Sequence, residues 1–170
     1  MDSRGLVERR KEVIDDKSLE AWQIPEALSR VTDEFLADLY EKEIRLDTDV
    51  ALVALGGYGR SELCPSSDLD LMLVHKHQED IDSLADRIWY PLWDEGFKLG
   101  HSVRSLEQTL RLAADDLETA TSLLNARIVA GDRALVDDLL TRNEKQWAEY
   151  GPARLEELAR NVTRRHLLAG

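Results

Sequence analysis

The chain has 170 residues, 43% of them hydrophobic, which indicates one domain with a modest core. Its formal net charge of −12 argues against nucleic acid as a partner, because a phosphate backbone needs clustered Lys and Arg to replace its counterions. One cysteine excludes an internal disulfide, and the absence of a signal-like segment or a run of about 18 apolar residues predicts a cytoplasmic protein without a membrane span.

The first 48 residues are predicted to form an N-terminal helical region. Residues 1–24 are rich in charge, and we expect them to be frayed. Apolar residues then recur at helical spacing, at Leu28, Val31, Phe35, Leu36 and Leu39. The polar run Asp47-Thr48-Asp49 is expected to break this helix before the first strand.

A wholly apolar run, residues 51–55, is ended by two glycines, which is typical of a strand buried on both faces. Gly56 and Gly57 allow a tight turn and bring backbone N–H groups close to a polyphosphate. We expect Ser61 to begin a short helix whose N-terminus favours anions. Arg60 and Ser61 would add one charged and one neutral donor to this phosphate site.

A second buried-strand pattern follows Ser67 and contains two carboxylates, Asp68 and Asp70. Strand residues two apart point to one face, so both carboxylates aim at one place, about 7 Å apart along the backbone. Their charges would repel at the end of an apolar strand unless one protonates or a cation neutralises both. Mg²⁺ is the natural cation, because it prefers oxygen ligands and shares them with substrate phosphates.

Each half of this pattern also has a purely structural explanation. A glycine pair after a strand is usually a loop, and an Asp-x-Asp pair is usually a solvated strand end. Their order and separation favour a functional site, because a glycine turn after one strand and a carboxylate pair entering the next place phosphate donors and metal ligands in one pocket.

An amphipathic helix is predicted after the carboxylate strand, from apolar residues at Ile81, Leu84, Ala85 and Ile88. We expect it to end around Pro91. The aromatic residues at its end, Trp89, Tyr90 and Trp93, are interpreted as core anchors and not as a platform for a nucleobase. Residues 97–104 are expected to form the next strand.

Other residues with reactive or charged side chains are assigned structural roles. His75 and His77 are expected in a solvated bend, since no zinc-ligand spacing is present. Cys64 is interpreted as a packing residue, because no activating base is evident. Beyond Arg104 the pattern is helical, with Leu117, Ala120, Leu124 and Ile128 on one face. A basic cluster on the last helix, Arg160, Arg164 and Arg165, is assigned to the helix dipole or a solvated face in preference to phosphate binding.

The strand, the glycine turn and the segment Ser67-Asp68-Leu69-Asp70 resemble the DNA polymerase β-like nucleotidyltransferase superfamily. That resemblance implies an α+β fold, with a small mixed sheet flanked by helices and followed by a helical segment. We accordingly divide the chain into an N-terminal helical region (1–48), a nucleotidyltransferase core (49–104) and a helical segment (105–170). The resemblance also implies that Asp68 and Asp70 are the catalytic metal ligands.

Longer strings are similar to the nucleotidyltransferase domain of the PII uridylyltransferases: GGYGRSELCP at residues 56–65, GHSVRS at 100–105 and TATSLLNAR at 119–127. This resemblance implies transfer of UMP, or of AMP, from UTP or ATP to a tyrosine of the PII nitrogen-signalling protein, with release of pyrophosphate. It implies Gly56, Gly57, Arg60, Ser61 and Ser67 as nucleotide-binding residues.

One feature departs from the superfamily pattern, which usually adds a third acidic residue from a later strand. Residues 97–104 contain no Asp or Glu, and Gly100 lies where that residue is expected. His101 and Arg104 are nearby polar candidates, but neither is assigned a catalytic role. The general base is left unassigned.

Three functional hypotheses remain open from the sequence. The chain is a protein-modifying nucleotidyltransferase, a stand-alone transferase of the small-molecule or toxin type, or an inactive nucleotide-binding fragment. The family continues into phosphohydrolase and regulatory domains that are not visible in this sequence, so we expect a fragment of a longer protein, with removal activity residing elsewhere.

Overall fold

The computed structural model describes residues 4–44, 49–77 and 79–169, with side chains up to residue 163. The helices of the described ranges are α1 (Leu6–Asp15), α2 (Ile24–Glu43), α3 (Gly56–Gly59), α4 (Ile81–Asp94), α5 (Leu106–Asp115), α6 (Leu117–Ser122) and α7 (Arg133–Ala169), with a 3₁₀ turn at Leu123–Asn125. The strands are β1 (Val50–Ala54), β2 (Leu69–His75), β3 (Leu99–Ser105) and β4 (Arg127–Gly131). Within those ranges, no helix is both long and apolar enough to cross a bilayer.

Four strands form one mixed sheet in the order β3-β2-β1-β4. β1 runs antiparallel to both of its neighbours, whereas β2 and β3 are parallel. A parallel pair requires a crossover, and α4 provides it. The predicted fold class is therefore confirmed: the structure is α+β, with a small mixed sheet flanked by helices, consistent with a polymerase β-like core.

The two central strands, β1 and β2, are largely buried, and alternation along β2 divides the core in two. Leu69, Leu71 and Leu73 lie in a cluster with apolar residues of α1, α2 and α4. Met72 and Val74 lie in a second cluster, with residues of α5, α7 and the 3₁₀ turn. Each fully buried leucine stabilises the fold by roughly 1.5–3 kcal/mol. This packing fixes β2, the strand that begins at the carboxylate pair.

The prediction that residues 1–24 are frayed is wrong for the part that forms α1. Leu6, Arg9 and Arg10 of this helix are buried. The Arg9 guanidinium lies 5.5 Å from the centre of the Phe35 ring, and Arg10 donates from Nη2 to the carbonyl of Cys64 at 3.1 Å. Long arginine stems cover apolar surface while their charged ends find partners, so a charge-rich segment packs without an apolar stripe.

Two other predictions about elements are corrected by the structure. α4 continues through Pro91 to Asp94, because Leu92, one turn beyond Trp89, is fully buried and this packing outweighs the loss of one backbone donor. Ile128 lies on β4 and not on a helical face. A five-residue strand directly after two short helical turns is too short for hydrophobic periodicity to separate. The break expected at Asp47-Thr48 lies outside the described residues.

Candidate active site

The two predicted carboxylates lie at the start of β2. Asp68 is exposed and directly precedes the strand, while Asp70, its second residue, is half-buried. Burial and, to a smaller extent, the negative charge of Asp68 raise the pKa of the Asp70 carboxyl above its ordinary value. The two carboxylates therefore lie close enough for the charge of Asp68 to act on Asp70.

The glycine turn lies against Asp70. The backbone N–H of Leu55 donates to the Asp70 carbonyl at 2.9 Å, which places the end of β1 beside the carboxylate. Gly56 has a φ of +57°, and a Cβ added there would lie 2.8 Å from Asp70 Oδ2. Only glycine combines this conformation with such a close approach. The structure thus brings Gly56 and Asp70 into one site.

The helix expected from Ser61 is corrected by the structure. The short helix is Gly56–Gly59 itself, whose first residue directly follows Leu55. Ser61 has a φ of 59°, a left-handed conformation that cannot begin a helix, and the N–H of Glu62 turns back to the carbonyl of Gly57 at 2.9 Å. The helix prediction missed this because glycine was expected to make only a loop.

Of the remaining predicted nucleotide-binding residues, Arg60 and Ser67 line the cavities at Asp70, and Ser61 does not. Arg60 is exposed beside the turn, where its Nη1 donates to the carbonyl of Gly56 at 3.2 Å and its Nε to Glu62 at 2.7 Å. Ser67 lines a small cavity, and its hydroxyl accepts from the N–H of Cys64 at 3.1 Å. Ser61 lines neither of the cavities that Asp70 joins.

Two cavities meet at Asp70. The larger, about 750 Å³, is lined on the sheet side by Gly56, Arg60, Asp70, Gly100, Ser102 and Arg104. The smaller, about 320 Å³, is lined by Gly57, Tyr58, Leu63, Ser66, Ser67, Asp68 and Asp70. The larger volume has the size of a pocket for a nucleotide-sized ligand.

The far wall of the larger cavity was not predicted. It is formed by polar residues of α6 and its flanks, at Asp116, Glu118, Thr119, Thr121, Ser122 and Asn125. Asp116 caps α6, and hydrogen bonds from the hydroxyl and backbone N–H of Thr119 lower the pKa of its carboxyl. The sequence string at residues 119–127 could have indicated this wall, but its apolar positions were interpreted only as a helix and its polar positions were not assigned to the site.

Position 100 on β3 is paired with Asp70 across the parallel strands. Glycine supplies no carboxylate at this position. A Cβ added to Gly100 would lie 2.2 Å from Asp70 Oδ1, so a larger residue would collide with the Asp70 side chain as it is placed. Among the residues that the structure describes, no group of three or more His, Cys, Asp or Glu side chains is arranged to hold a metal ion. Asp68 and Asp70 therefore stand as a pair.

The aromatic residues near the site have structural contacts. The His101 ring lies 5.6 Å from the Trp89 ring and 5.2 Å from the Trp93 ring, measured between centroids. Trp89 is buried, as expected for a core anchor, whereas Tyr90 and Trp93 are exposed, so the core interpretation is wrong for those two. The exposed pair stacks edge-to-face at the end of α4.

The other residues assigned structural roles give mixed outcomes. Cys64 is exposed, so its assignment as a packing residue is wrong; it lies in a stretch before β2, residues 64–66, that is exposed throughout. His75 is half-buried, and this burial lowers its pKa, while His77 is exposed. Arg160 lies on a solvated face beside Glu156. The side chains of Arg164 and Arg165 lie outside the described part of the chain.

Comparison with known proteins identifies one class of relatives, although no protein-family model matches the chain. Over 134 residues, 78% of the chain, it is 46% identical to the bifunctional uridylyltransferase/uridylyl-removing enzyme of Streptomyces coelicolor. Enzymes of the same name from Mycobacterium tuberculosis and Phenylobacterium zucineum are 44% and 38% identical over 64% and 76% of the chain. The chain is a homologue of these uridylyltransferases.

The predicted resemblance to the uridylyltransferase family is thereby confirmed. The chain spans 16% of the length of the Streptomyces coelicolor enzyme and 14% of the Mycobacterium tuberculosis enzyme. The roles assigned to Asp68, Asp70 and the residues of the glycine turn stay predictions, now with a defined geometry.

Proposed function

We propose that this chain holds a nucleotidyl-transfer site that moves UMP, or AMP, from UTP or ATP to a tyrosine of the PII protein, with release of pyrophosphate. The observation that carries the proposal is the contact between the glycine turn and the carboxylate pair, with Gly56 directly against Asp70. The name of the homologous enzymes supports uridylyl transfer as the reaction class. The bound nucleotide would occupy the larger cavity.

The residues present fit Mg²⁺, which the proposed reaction requires. Asp68 and Asp70 supply hard oxygen ligands, and two carboxylates leave coordination positions for phosphate oxygens and water. The raised pKa of Asp70 reflects burial and repulsion that a cation would offset. When bound, Mg²⁺ would neutralise charge on the phosphate oxygens.

The chain's own groups would bind and orient the triphosphate. The backbone of Gly56 lies against Asp70, and Gly57 lines the smaller cavity together with Asp70, so the N–H groups of the turn would face phosphates bound at this site. Arg60 and Arg104 line the same cavity and would add positive charge. Because phosphoryl transfer depends mainly on positioning and charge neutralisation, these are the contributions the site must make.

The test is mass spectrometry of PII after incubation with the chain, Mg²⁺, and UTP or ATP in separate reactions. We expect addition of UMP or AMP, and its loss in the Asp68→Asn/Asp70→Asn variant. Asp137→Asn, an exposed change on α7, is the matched control and should retain transfer. Wild-type transfer by the double variant would refute the metal assignment, and no adduct with either nucleotide would refute the proposed activity of this chain.

A second candidate function is that of an inactive nucleotide-binding fragment. The observation that favours it is Gly100, which stands against Asp70 where the superfamily usually places a third carboxylate. This candidate predicts nucleotide binding that does not depend on Mg²⁺, whereas the transferase proposal predicts binding that strengthens with Mg²⁺. Titration of the chain with UTP and ATP, with and without Mg²⁺, separates the two. The cytoplasmic location stays a prediction.

A further inference from the structure

A polar cluster of three residues, Asp33, Tyr58 and Arg127, joins the glycine turn to two distant elements. The Tyr58 hydroxyl donates to Asp33 Oδ1 of α2 at 2.6 Å. Arg127 of β4 donates from two nitrogens to both oxygens of the same carboxylate, at 2.8 and 3.0 Å. We call these three residues the anchor cluster. It ties the turn to α2 and to the far edge strand of the sheet.

Arg127 also holds the backbone of the turn. Its Nη2 donates to the Tyr58 carbonyl at 3.3 Å, and its guanidinium carbon lies 5.4 Å from the centre of the Tyr58 ring. Next to it, a Cβ added to Gly59 would lie 2.1 Å from the carbonyl oxygen of Asn125, the segment that enters β4. The turn is therefore held by three contacts: the Tyr58 side chain, the Tyr58 carbonyl, and the close approach of Gly59 to the backbone of Asn125.

Tyr58 is the buried member of the anchor cluster, and Asp33 and Arg127 are partly exposed. Tyr58 is 1% exposed, and burial together with Asp33 raises the pKa of its phenol well above the ordinary value, so the hydroxyl stays protonated and acts as a donor. The side chains of Asp33 and Arg127 are about one-third exposed. A bidentate Arg–carboxylate pair has a defined geometry, which makes it suited to holding a phenol in one position.

We propose that Asp33, Tyr58 and Arg127 are positioning residues, which fix the backbone of Gly56 and Gly57 for phosphate binding. The proposal rests on the proposed function for its ligand. Its physical reason is that glycine loses the most conformational freedom when ordered, so a turn with three glycines must be ordered from outside. Tyr58 is the residue of Gly56–Gly59 that has a side chain, and Asp33 and Arg127 hold the turn through it.

The order of the turn is tested by hydrogen exchange in Tyr58→Phe, which removes one hydroxyl and keeps the ring. The relevant amides are those of Gly59, Arg60, Ser61 and Glu62, which donate to carbonyls of residues 55–58. We expect their exchange to be about five-fold faster or more than in the wild type. Tyr40→Phe is the matched control, because Tyr40 is also buried and its hydroxyl donates to the carbonyl of Val50, the first residue of β1.

The consequence for phosphate binding is tested by titrating the same variants with Mg–UTP and Mg–ATP, alongside their thermal midpoints. We expect Tyr58→Phe and Asp33→Asn to weaken nucleotide binding about five-fold or more. Tyr40→Phe should lower the thermal midpoint by a similar amount and leave binding within about two-fold of the wild type. If the anchor cluster only stabilised the fold, Tyr58→Phe and Tyr40→Phe would lower the thermal midpoint alike and would not differ in nucleotide affinity.

Arg127→Met tests the third member of the anchor cluster in the same two measurements. Its matched control is Arg142→Met, since Arg142 makes an equivalent bidentate pair with Glu107 away from the site. Unchanged exchange and unchanged nucleotide affinity in Tyr58→Phe would overturn the positioning role. If the wild-type chain binds neither nucleotide, the proposed function fails, and the exchange rates of the turn alone decide whether the anchor cluster orders it.

Discussion

Gly100 lies directly against the carboxylate of Asp70. The two residues are paired across the parallel strands β2 and β3, and a Cβ at Gly100 would be 2.2 Å from Asp70 Oδ1. No side chain fits at position 100 while Asp70 keeps this orientation. The position where the third carboxylate was expected is thus the position that packs against Asp70.

We expect Gly100→Ala to displace the Asp70 carboxylate and to lower nucleotidyl transfer about 100-fold, since a misplacement of about 1 Å in a catalytic group has an effect of this size. The chain should remain folded, because the added methyl clashes with the end of the Asp70 side chain, whereas the nearest backbone atom, Asp70 Cα, lies at an ordinary contact distance of 3.8 Å. The rate of PII labelling measures the effect. Gly151→Ala is the control: nothing lies within 4 Å of its Cβ position, so activity should be retained. An unchanged rate in Gly100→Ala would contradict the prediction.

The pKa of Asp70 leads to a prediction about stability and pH. Burial, and next the charge of Asp68, raises this pKa in the folded state. Folding therefore favours the protonated form, so the ionised carboxylate destabilises the fold above the raised pKa, and this destabilisation disappears as pH falls below the unfolded value. Without metal, Asp70→Asn should raise the free energy of unfolding at neutral pH and leave it unchanged in acid.

Urea unfolding of the wild type and Asp70→Asn across a pH series measures this difference. Mg²⁺ should then stabilise the wild type more than the variant, because a ligand stabilises the state that binds it. The exposed variant Asp137→Asn is the control. A gain in Asp70→Asn that is equal at every pH would show that the ionisation of Asp70 is not its cause.

The placement of the candidate site residues could be predicted from the sequence as far as local patterns extend. The period of two along β2 places Asp68 and Asp70 at one strand entrance, and the glycines after β1 require a turn. Both patterns lie within 20 residues, so no long-range packing is needed to interpret them. The structure adds that Gly56 touches Asp70, a contact that sequence order suggests and does not specify.

The remaining features depend on contacts between distant segments. The pairing of Gly100 with Asp70 follows from the register of two parallel strands, which a crossover helix sets and no local motif encodes. The bond from Arg127 to Asp33 joins residues 94 positions apart. Likewise α1 packs through the stems of Arg9 and Arg10, which a hydrophobicity pattern counts as polar.

Cys64 offers a direct test of the turn before β2. The thiol is exposed and the chain contains one cysteine, so a maleimide should add one equivalent to the native protein without denaturant. We expect Cys64→Ser to leave the free energy of unfolding nearly unchanged, since an exposed side chain contributes little packing. Labelling that requires denaturant would show that the turn is buried, as the sequence interpretation had it.

The second half of α7 depends on one buried arginine. Arg154 is 6% exposed, donates from Nη2 to the Ala113 carbonyl at 2.6 Å, and lies 4.9 Å above the Trp147 ring. Replacing it with alanine leaves that carbonyl without its charged donor, so we expect a loss of about 2 kcal/mol in the free energy of unfolding. Arg160→Ala on the same helix is the matched control, because its pair with Glu156 is exposed and should contribute little. Equal effects of the two changes in urea unfolding would show that α7 is held by its helical propensity and not by the contact of Arg154 with α5.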